Sequence, residues 1–233
     1  MKPLGKKAYG SIGHLPQSRM GPGDHAVPEG MAKICCEKAR DKHDRIICQE
    51  KLDGSCVAVA KIDGKLHPLG RAGWLAVSSP HEQHRLFDRW VWENLARFDQ
   101  VLQDGERLVG EWLAQAHGTR YDLKHDPFVA FDMMRDDVRL VYDEFLGRVG
   151  DSFKTPHCLS ATGLPVSIKD AMERAEGRNY HNALDPIEGV VYRVERRGKV
   201  DFLAKYVRPT KVDGHYLPEV SGKEPVWNWR PPV

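Results

Sequence analysis

The stretch RIICQEKLDGSCVAVAKIDGKLHPLGRAG, residues 45–73, decides the fold. A β-rich run begins near Arg45 and reaches Lys51-Leu52-Asp53-Gly54. Beyond it, SCVAVAKIDGKLHPLG alternates apolar and polar residues on either side of Asp63-Gly64, a dipeptide suited to the positive φ angles of a tight hairpin. Two antiparallel strands are therefore predicted. Strand-like runs return at RLVGEWLA (107–114), PFVAFDMM (127–134), RLVY (139–142), EGVVYRVE (188–195) and VDFLAKYV (200–207), with Gly198 in the turn between the last two.

Helices are fewer. Ser79-Pro80-His81-Glu82 has the form of a capping box, and Phe87, Trp90, Val91, Leu95, Phe98 and Leu102 follow at helical spacing, which predicts a helix over about 80–103 closed by Gly105. A shorter helix is expected after Ser167. With no regular βαβ alternation, the pattern favours an α+β fold on antiparallel sheets, a single domain over 1–233. Residues 1–44, rich in Gly, Pro, His and Lys, read as an irregular segment packed on it.

Composition narrows the classes. The chain has 233 residues, 41% hydrophobic and 29% charged, and no apolar run long enough to cross a bilayer. The N-terminus lacks the apolar core of a secretory signal, so a cytoplasmic protein is expected, with no membrane partner. Five cysteines without CxxC spacing speak against a disulfide framework or a zinc knuckle. Thirty-five basic residues against 33 acidic ones give a net charge of only +2, so any nucleic-acid-binding basic surface must be local.

A KxDG string alone is weak, because a lysine near a turn is usually just solvated. Its company is more specific: Arg71 in LGRAG, Gly110-Glu111 in LVGEW, Phe131-Asp132 in FVAFD, Glu188-Gly189 in PIEGVVYR and Lys205 in FLAKYVR, each in or near a predicted strand. In this order, from Gln49 to Arg208, the set resembles the covalent nucleotidyltransferase superfamily of ATP-dependent DNA ligases, RNA ligases and mRNA capping enzymes. VGEW followed by HGTRY is similar to the RNA-ligase pattern, where DNA ligases usually read DGE, and the N-terminal GSIGHLPQSR resembles bacterial RNA-ligase-like proteins.

The resemblance implies a nucleotidyltransferase domain that uses ATP and Mg2+. Lys51 would take AMP as a phosphoramidate, pass it to a 5′-phosphate RNA end and allow a 3′-hydroxyl end to displace it. It makes Lys51, Lys205 and Glu188 catalytic, with Glu188 the metal ligand. It assigns nucleotide binding to Gln49, Glu50, Leu52, Gly54, Arg71, Glu111, Phe131, Val190, Lys205 and Arg208. Within that set Glu111 would hold the ribose, while Phe131 and Val190 would face the adenine. Physical chemistry agrees in kind. A lysine nucleophile must lose its proton, and nearby cations such as Lys205, Arg71 and a metal favour that loss. The same cations would neutralise phosphate oxygens during in-line displacement.

Two departures stand out. The final motif usually has two basic residues one position apart, whereas Tyr206 and Val207 follow Lys205, leaving Arg208 or Lys211 as the second cation. Twenty-eight residues after Lys205 are too few for a C-terminal OB domain, so a stand-alone catalytic domain is expected, with an accessory RNA-repair protein a possible partner. The rival readings are a DNA ligase, a capping-type nucleotidyltransferase, and a catalytically silent binder of nucleic-acid ends. Arg19 or His14 could reach a phosphate, although a surface loop is the plainer reading. His81 and His84, at i, i+3, suggest a metal pair but fall in the first turn of an exposed helix. Trp227 and Trp229 read as tail anchors.

Overall fold

The computed structural model describes residues 1–231. In chain order its elements are β1 (Gly13–His14), α1 (Glu29–Cys36), β2 (Asp44–Lys51), β3 (Ser55–Ile62), β4 (Lys65–Gly70), α2 (Glu82–Glu93) and α3 (Leu95–Val101). There follow β5 (Glu106–Trp112), β6 (Phe128–Arg135), β7 (Val138–Arg139), α4 (Tyr142–Val149), β8 (Cys158–Ser160), α5 (Ile168–Arg178), β9 (Gly189–Arg196), β10 (Lys199–Val207) and α6 (Pro218–Ser221). They form two five-stranded sheets, ordered β1-β10-β9-β2-β8 and β4-β3-β5-β6-β7. Every pairing is antiparallel except β1 beside β10. The α+β class and the antiparallel sheets are as the sequence predicts.

The hairpin β3–β4 turns at Asp63 (φ 49°) and Gly64 (φ 71°), the left-handed pair that its dipeptide implies. Just before it, the chain leaves the first sheet at Lys51 and enters the second at Ser55, so Leu52-Asp53-Gly54 is the crossing between sheets. Gly54 is obligatory here, because a Cβ would lie 2.5 Å from the Trp112 carbonyl oxygen.

Each sheet has its own core. The second sheet packs against α2, α3 and α4 through Phe87, Trp90, Phe98, Trp112, Phe128 and Phe153, whose ring centroids lie 4.7–5.9 Å apart. Trp229 adds its edge to Trp112 and Trp227 packs on the same core, so both serve as tail anchors. The first sheet packs Ile46, Cys48, Tyr192 and Val194 against Ile34 and Cys35 of α1 and Ala171 and Ala175 of α5. All five cysteines are free thiols. Ser167 caps α5, its Oγ accepting from the Asp170 amide at 3.1 Å.

Three expectations need correction. The N-terminal segment is not wholly irregular: it contributes β1, the helix α1, and Ala8 and Tyr9 buried on the second sheet. The helix expected over 80–103 is two helices. Asn94 breaks it, its Nδ2 donating to the Trp90 carbonyl at 2.9 Å while its Oδ1 accepts from Arg97 at 2.7 Å. The start also slips, because Ser79 Oγ accepts from the His81 amide and pairs with the His84 ring, and α2 begins only at Glu82. Of RLVY only Arg139 is strand, as the second residue of β7, and α4 starts at Tyr142. There Glu195 accepts the Tyr142 amide at 2.5 Å, and Asp143 and Glu144 suit the positive helix end. Among the described residues no helix is long and apolar enough to cross a membrane.

Candidate active site

Strand alternation and the sheet crossing aim Lys51 into a cavity of about 920 Å³ walled by both sheets and by the N-terminal segment. The Lys51 ammonium donates to Glu188 Oε2 at 2.6 Å and to the Leu52 carbonyl at 3.3 Å. Glu188 precedes β9, whose Gly189 lies opposite Lys51 in the pairing of β2 with β9. The two partners are thus set by register. Gly189 tolerates no side chain, since a Cβ would collide with the Tyr206 carbonyl on β10.

Glu111 comes from the other sheet. It sits on β5 opposite Cys56, and its Oε1 accepts from the Gly54 amide at 3.0 Å. Burial raises its pKa to about 7, with Lys51 working to lower it and Glu188 to raise it. Burial likewise raises Glu188, against the pull of Lys51. For Lys51 itself burial acts downward, but Glu188, Glu111 and Asp53 outweigh it and hold the group above the usual lysine range. Nearby cations such as Lys205 and Arg71 would push this lysine toward its neutral form. In the free chain its carboxylates prevail instead.

Asp53 also pairs with a second cation. Lys211, 4% exposed at its side chain, pairs with Asp53 Oδ2 at 2.5 Å and donates to Thr119 Oγ1 at 2.5 Å. Asp53 also accepts from the Gly118 amide at 2.8 Å, and its own amide donates to the Tyr121 hydroxyl at 3.0 Å. The HGTRY stretch is thereby fastened to the lysine motif. Of the two candidates for the second basic position, Lys211 reaches this motif. Arg208 instead pairs with Glu176 on α5 and is not part of the cavity wall, because its side chain leaves β10 toward that helix.

Phe131 lines the cavity through an irregularity. Val109 pairs with Asp132 and Gly110 with Ala130, so Phe131 is the extra residue of a β-bulge, and bulges re-aim side chains. Its ring meets Tyr9 edge-on at 5.2 Å. Beneath it the buried Asp132 accepts from Arg193 of the first sheet at 2.9 Å, from Arg139 at 2.8 Å and from the Tyr9 hydroxyl at 3.0 Å, joining the sheets under the bulge. Sequence reading missed Arg193 and Tyr9; an arginine amid the apolar alternation of β9 was the available signal. Val190 does not face the cavity. It is fully buried in the core of the first sheet, and strand alternation gives the wall to its neighbour Val191.

Gln49, Glu50, Leu52, Gly54, Arg71 and Lys205 all belong to the cavity wall. The Arg71 guanidinium makes long contacts, 3.4 Å to Gly10 O and 3.4 Å to Ser11 Oγ. Lys205 lies 3.6 Å from Asp24; burial and then Lys51 push its pKa below the usual lysine value, while Asp24 opposes them. Neither Arg19 nor His14 is a free phosphate ligand here: Arg19 pairs with Asp213, and His14 is buried beside Asp24. His81 and His84 also line the cavity, but His84 is tied to Ser55 at 2.7 Å and Ser79 at 2.8 Å, and burial holds its pKa down at about 4. Among the described residues no group of three or more His, Cys, Asp or Glu side chains could hold a metal ion.

Glu50 points off the opposite side of β2 from Lys51 and starts a chain of rings. Its Oε1 accepts from the His157 amide at 2.7 Å and lies 2.8 Å from His181 Nε2. His181 Nδ1 lies 2.7 Å from His125 Nε2, and His125 Nδ1 donates to the Asp126 carbonyl at 2.6 Å. These contacts pin the loop that leads to Glu188.

Comparison with known proteins accords with this arrangement. The family model for RNA ligase matches residues 44–207, and the chain belongs to that family. A search of curated protein sequences finds no match. Among solved structures the fold is similar to that of Naegleria gruberi RNA ligase in a form with AMP and Mn, at 18% identity and a TM-score of 0.52, covering 84% of this chain and 59% of that one. A form of the same ligase with ATP and Mn gives 16% identity and a TM-score of 0.52, with the same coverage. Its form with PPi gives 19% and 0.51, covering 91% of this chain and 62% of that one. This chain therefore spans about 60% of the length of those ligases.

Proposed function

We propose that the protein is an ATP-dependent RNA ligase that adenylates itself on Lys51. The observation that carries this reading is the placement of Lys51 at the sheet crossing, its ammonium paired with Glu188 and its side chain lining a nucleotide-sized cavity. Family membership adds that such a lysine lies in an RNA ligase domain.

In the first step the Lys51 ammonium releases a proton to water, and the Nζ lone pair so freed attacks the α-phosphorus of ATP. The bond from that phosphorus to the bridging oxygen breaks, pyrophosphate departs, and Nζ gives up a proton. In the second a 5′-phosphate oxygen of an RNA end attacks the same phosphorus and the amine leaves, regaining a proton. In the third a 3′-hydroxyl attacks the 5′-phosphate, AMP leaves, and a phosphodiester remains. Glu111 and the Gly54 amide position the ribose side, Phe131 and Val191 offer apolar faces to the base, and Lys205 and Arg71 meet phosphate oxygens.

The donor chemistry fits a divalent cation. Glu188 and Glu111 offer hard carboxylate oxygens near Lys51, the donor type that suits a divalent cation. Magnesium at Glu188 would offset phosphate charge, with its other ligands supplied by phosphate and water. A carboxylate so engaged would loosen its hold on the Lys51 proton, which the free chain keeps.

Intact-mass measurement after incubation with ATP and magnesium tests the proposal: one AMP should be added to the wild type and none to Lys51→Ala. Lys51→Arg should fail as well, because guanidinium stays protonated at usable pH. Label from α-phosphate-labelled ATP retained on either variant would sink the assignment.

A further inference from the structure

Residues 1–43 lie outside the family match, yet they reach the site at three places. Tyr9, Gly10 and Ile12 belong to the cavity wall. Strand β1 lies beside β10 with His14 opposite Lys205, and the Leu15 amide donates to the Lys205 carbonyl at 2.8 Å. The third contact is electrostatic. Asp24 Oδ1 lies 3.6 Å from the Lys205 ammonium, close enough for attraction but longer than a hydrogen bond.

Asp24 does not depend on Lys205 for its position. Its Oδ2 accepts from the Gly21 amide at 2.9 Å and lies 3.1 Å from His14 Nε2, and the His14 and Val27 amides pair with the backbone around it. Its charge is therefore fixed in place by its own loop. Around Lys205 stand Lys51 from β2, Arg71 after β4, His14 from β1, Glu188 before β9, and Asp24. Asp24 is the carboxylate contributed by the N-terminal segment.

We propose that Asp24 is a built-in counter-ion that occupies Lys205 in the free enzyme and competes with the nucleotide's triphosphate for it, so that the N-terminal segment sets nucleotide affinity. The inference rests on the ligase reading above. An incoming polyphosphate meets Lys205 already partly neutralised and a carboxylate of its own sign beside it, and both effects oppose binding without touching the reacting atoms. Asp24 is a positioning residue that acts through Lys205.

The test is self-adenylation kinetics across ATP concentration and salt. Asp24→Asn keeps the size of the side chain and an acceptor for the Gly21 amide while removing the charge. It should lower KM for ATP by about 3–10-fold at low salt with kcat nearly unchanged, and the gap should close as salt screens the charge. Asp24→Glu should restore the wild-type KM. Asp24→Ser, which also keeps an acceptor, should move KM in the same direction as Asp24→Asn and serves if that variant folds poorly. An unchanged or higher KM in the neutral variants, or a gap indifferent to salt, would overturn the inference. Failure of the wild type to adenylate would instead overturn the ligase reading.

Discussion

Replacing Glu111 with glutamine removes a carboxylate that burial disfavours while leaving an oxygen to accept the Gly54 amide. The folded pKa of Glu111, about 7, lies above the 4.5 of an unperturbed glutamate. The folded chain thus holds this proton more tightly than the unfolded chain does. The stability that the proton brings is complete below about 4.5 and is lost as pH rises through about 7. At roughly 1.4 kcal/mol per tenfold difference in proton affinity, full ionisation would cost about 3 kcal/mol, which partial exposure reduces to about 1–3 kcal/mol. Glu111→Gln should therefore match the wild type near pH 5 and melt higher near pH 8, by about 3–8 °C for a chain of this size. Thermal unfolding followed by circular dichroism at both pH values measures the difference. An equal offset at the two pH values would refute the reasoning, since only a group that titrates between them can open the gap. The same variant should lose nucleotide affinity, so stability and function would move in opposite directions.

Glu188→Ala should slow self-adenylation and flatten its magnesium dependence while leaving the fold intact; a normal rate with a normal magnesium response would return Glu188 to a structural role. A strand ending in 3′-hydroxyl ribonucleotides should be sealed faster than its all-DNA counterpart, because the 2′-hydroxyl distinguishes the two backbones. Equal sealing of the DNA strand, followed on a denaturing gel, would favour a DNA-ligase reading. Ser167→Ala should cost about 1 kcal/mol of stability through loss of the α5 cap, and chemical denaturation showing no loss would mean that the Asp170 amide finds another acceptor.

The sequence carried the parts of this protein that local rules dictate. Strand alternation and Asp63-Gly64 gave the hairpin, Ser167 gave the α5 start, and the resemblance carried by the motifs around Lys51, Glu111, Phe131, Glu188 and Lys205 pointed to residues that the fold brings to one cleft or its edge. What stayed hidden was decided by distant partners. Asn94 looks harmless in a helical pattern until its amide takes the Trp90 carbonyl. Tyr142 reads as strand until Glu195, far along the chain, accepts its amide. Val190 and Val191 are chemically the same, and only the sheet's facing tells which one meets the cavity. Arg208 was the nearer substitute in sequence, yet the turn after β10 carries Lys211 back to Asp53. Most of the N-terminal segment gave no periodicity because edge pairing and ion pairs hold it, and α1, eight residues long, is too short to show a clear one.

The ring chain behind Glu50 joins three stretches that lie far apart in the sequence. The Asp126 carbonyl accepts from His125 Nδ1, the His125 and His181 rings meet at 2.7 Å, and His181 lies 2.8 Å from Glu50 on the strand that ends at Lys51. The loop that carries His181 is the one that leads to Glu188. Nucleophile and counter-ion are therefore braced from behind by a single mechanical unit, so a displacement of one partner of the ion pair is passed to the other.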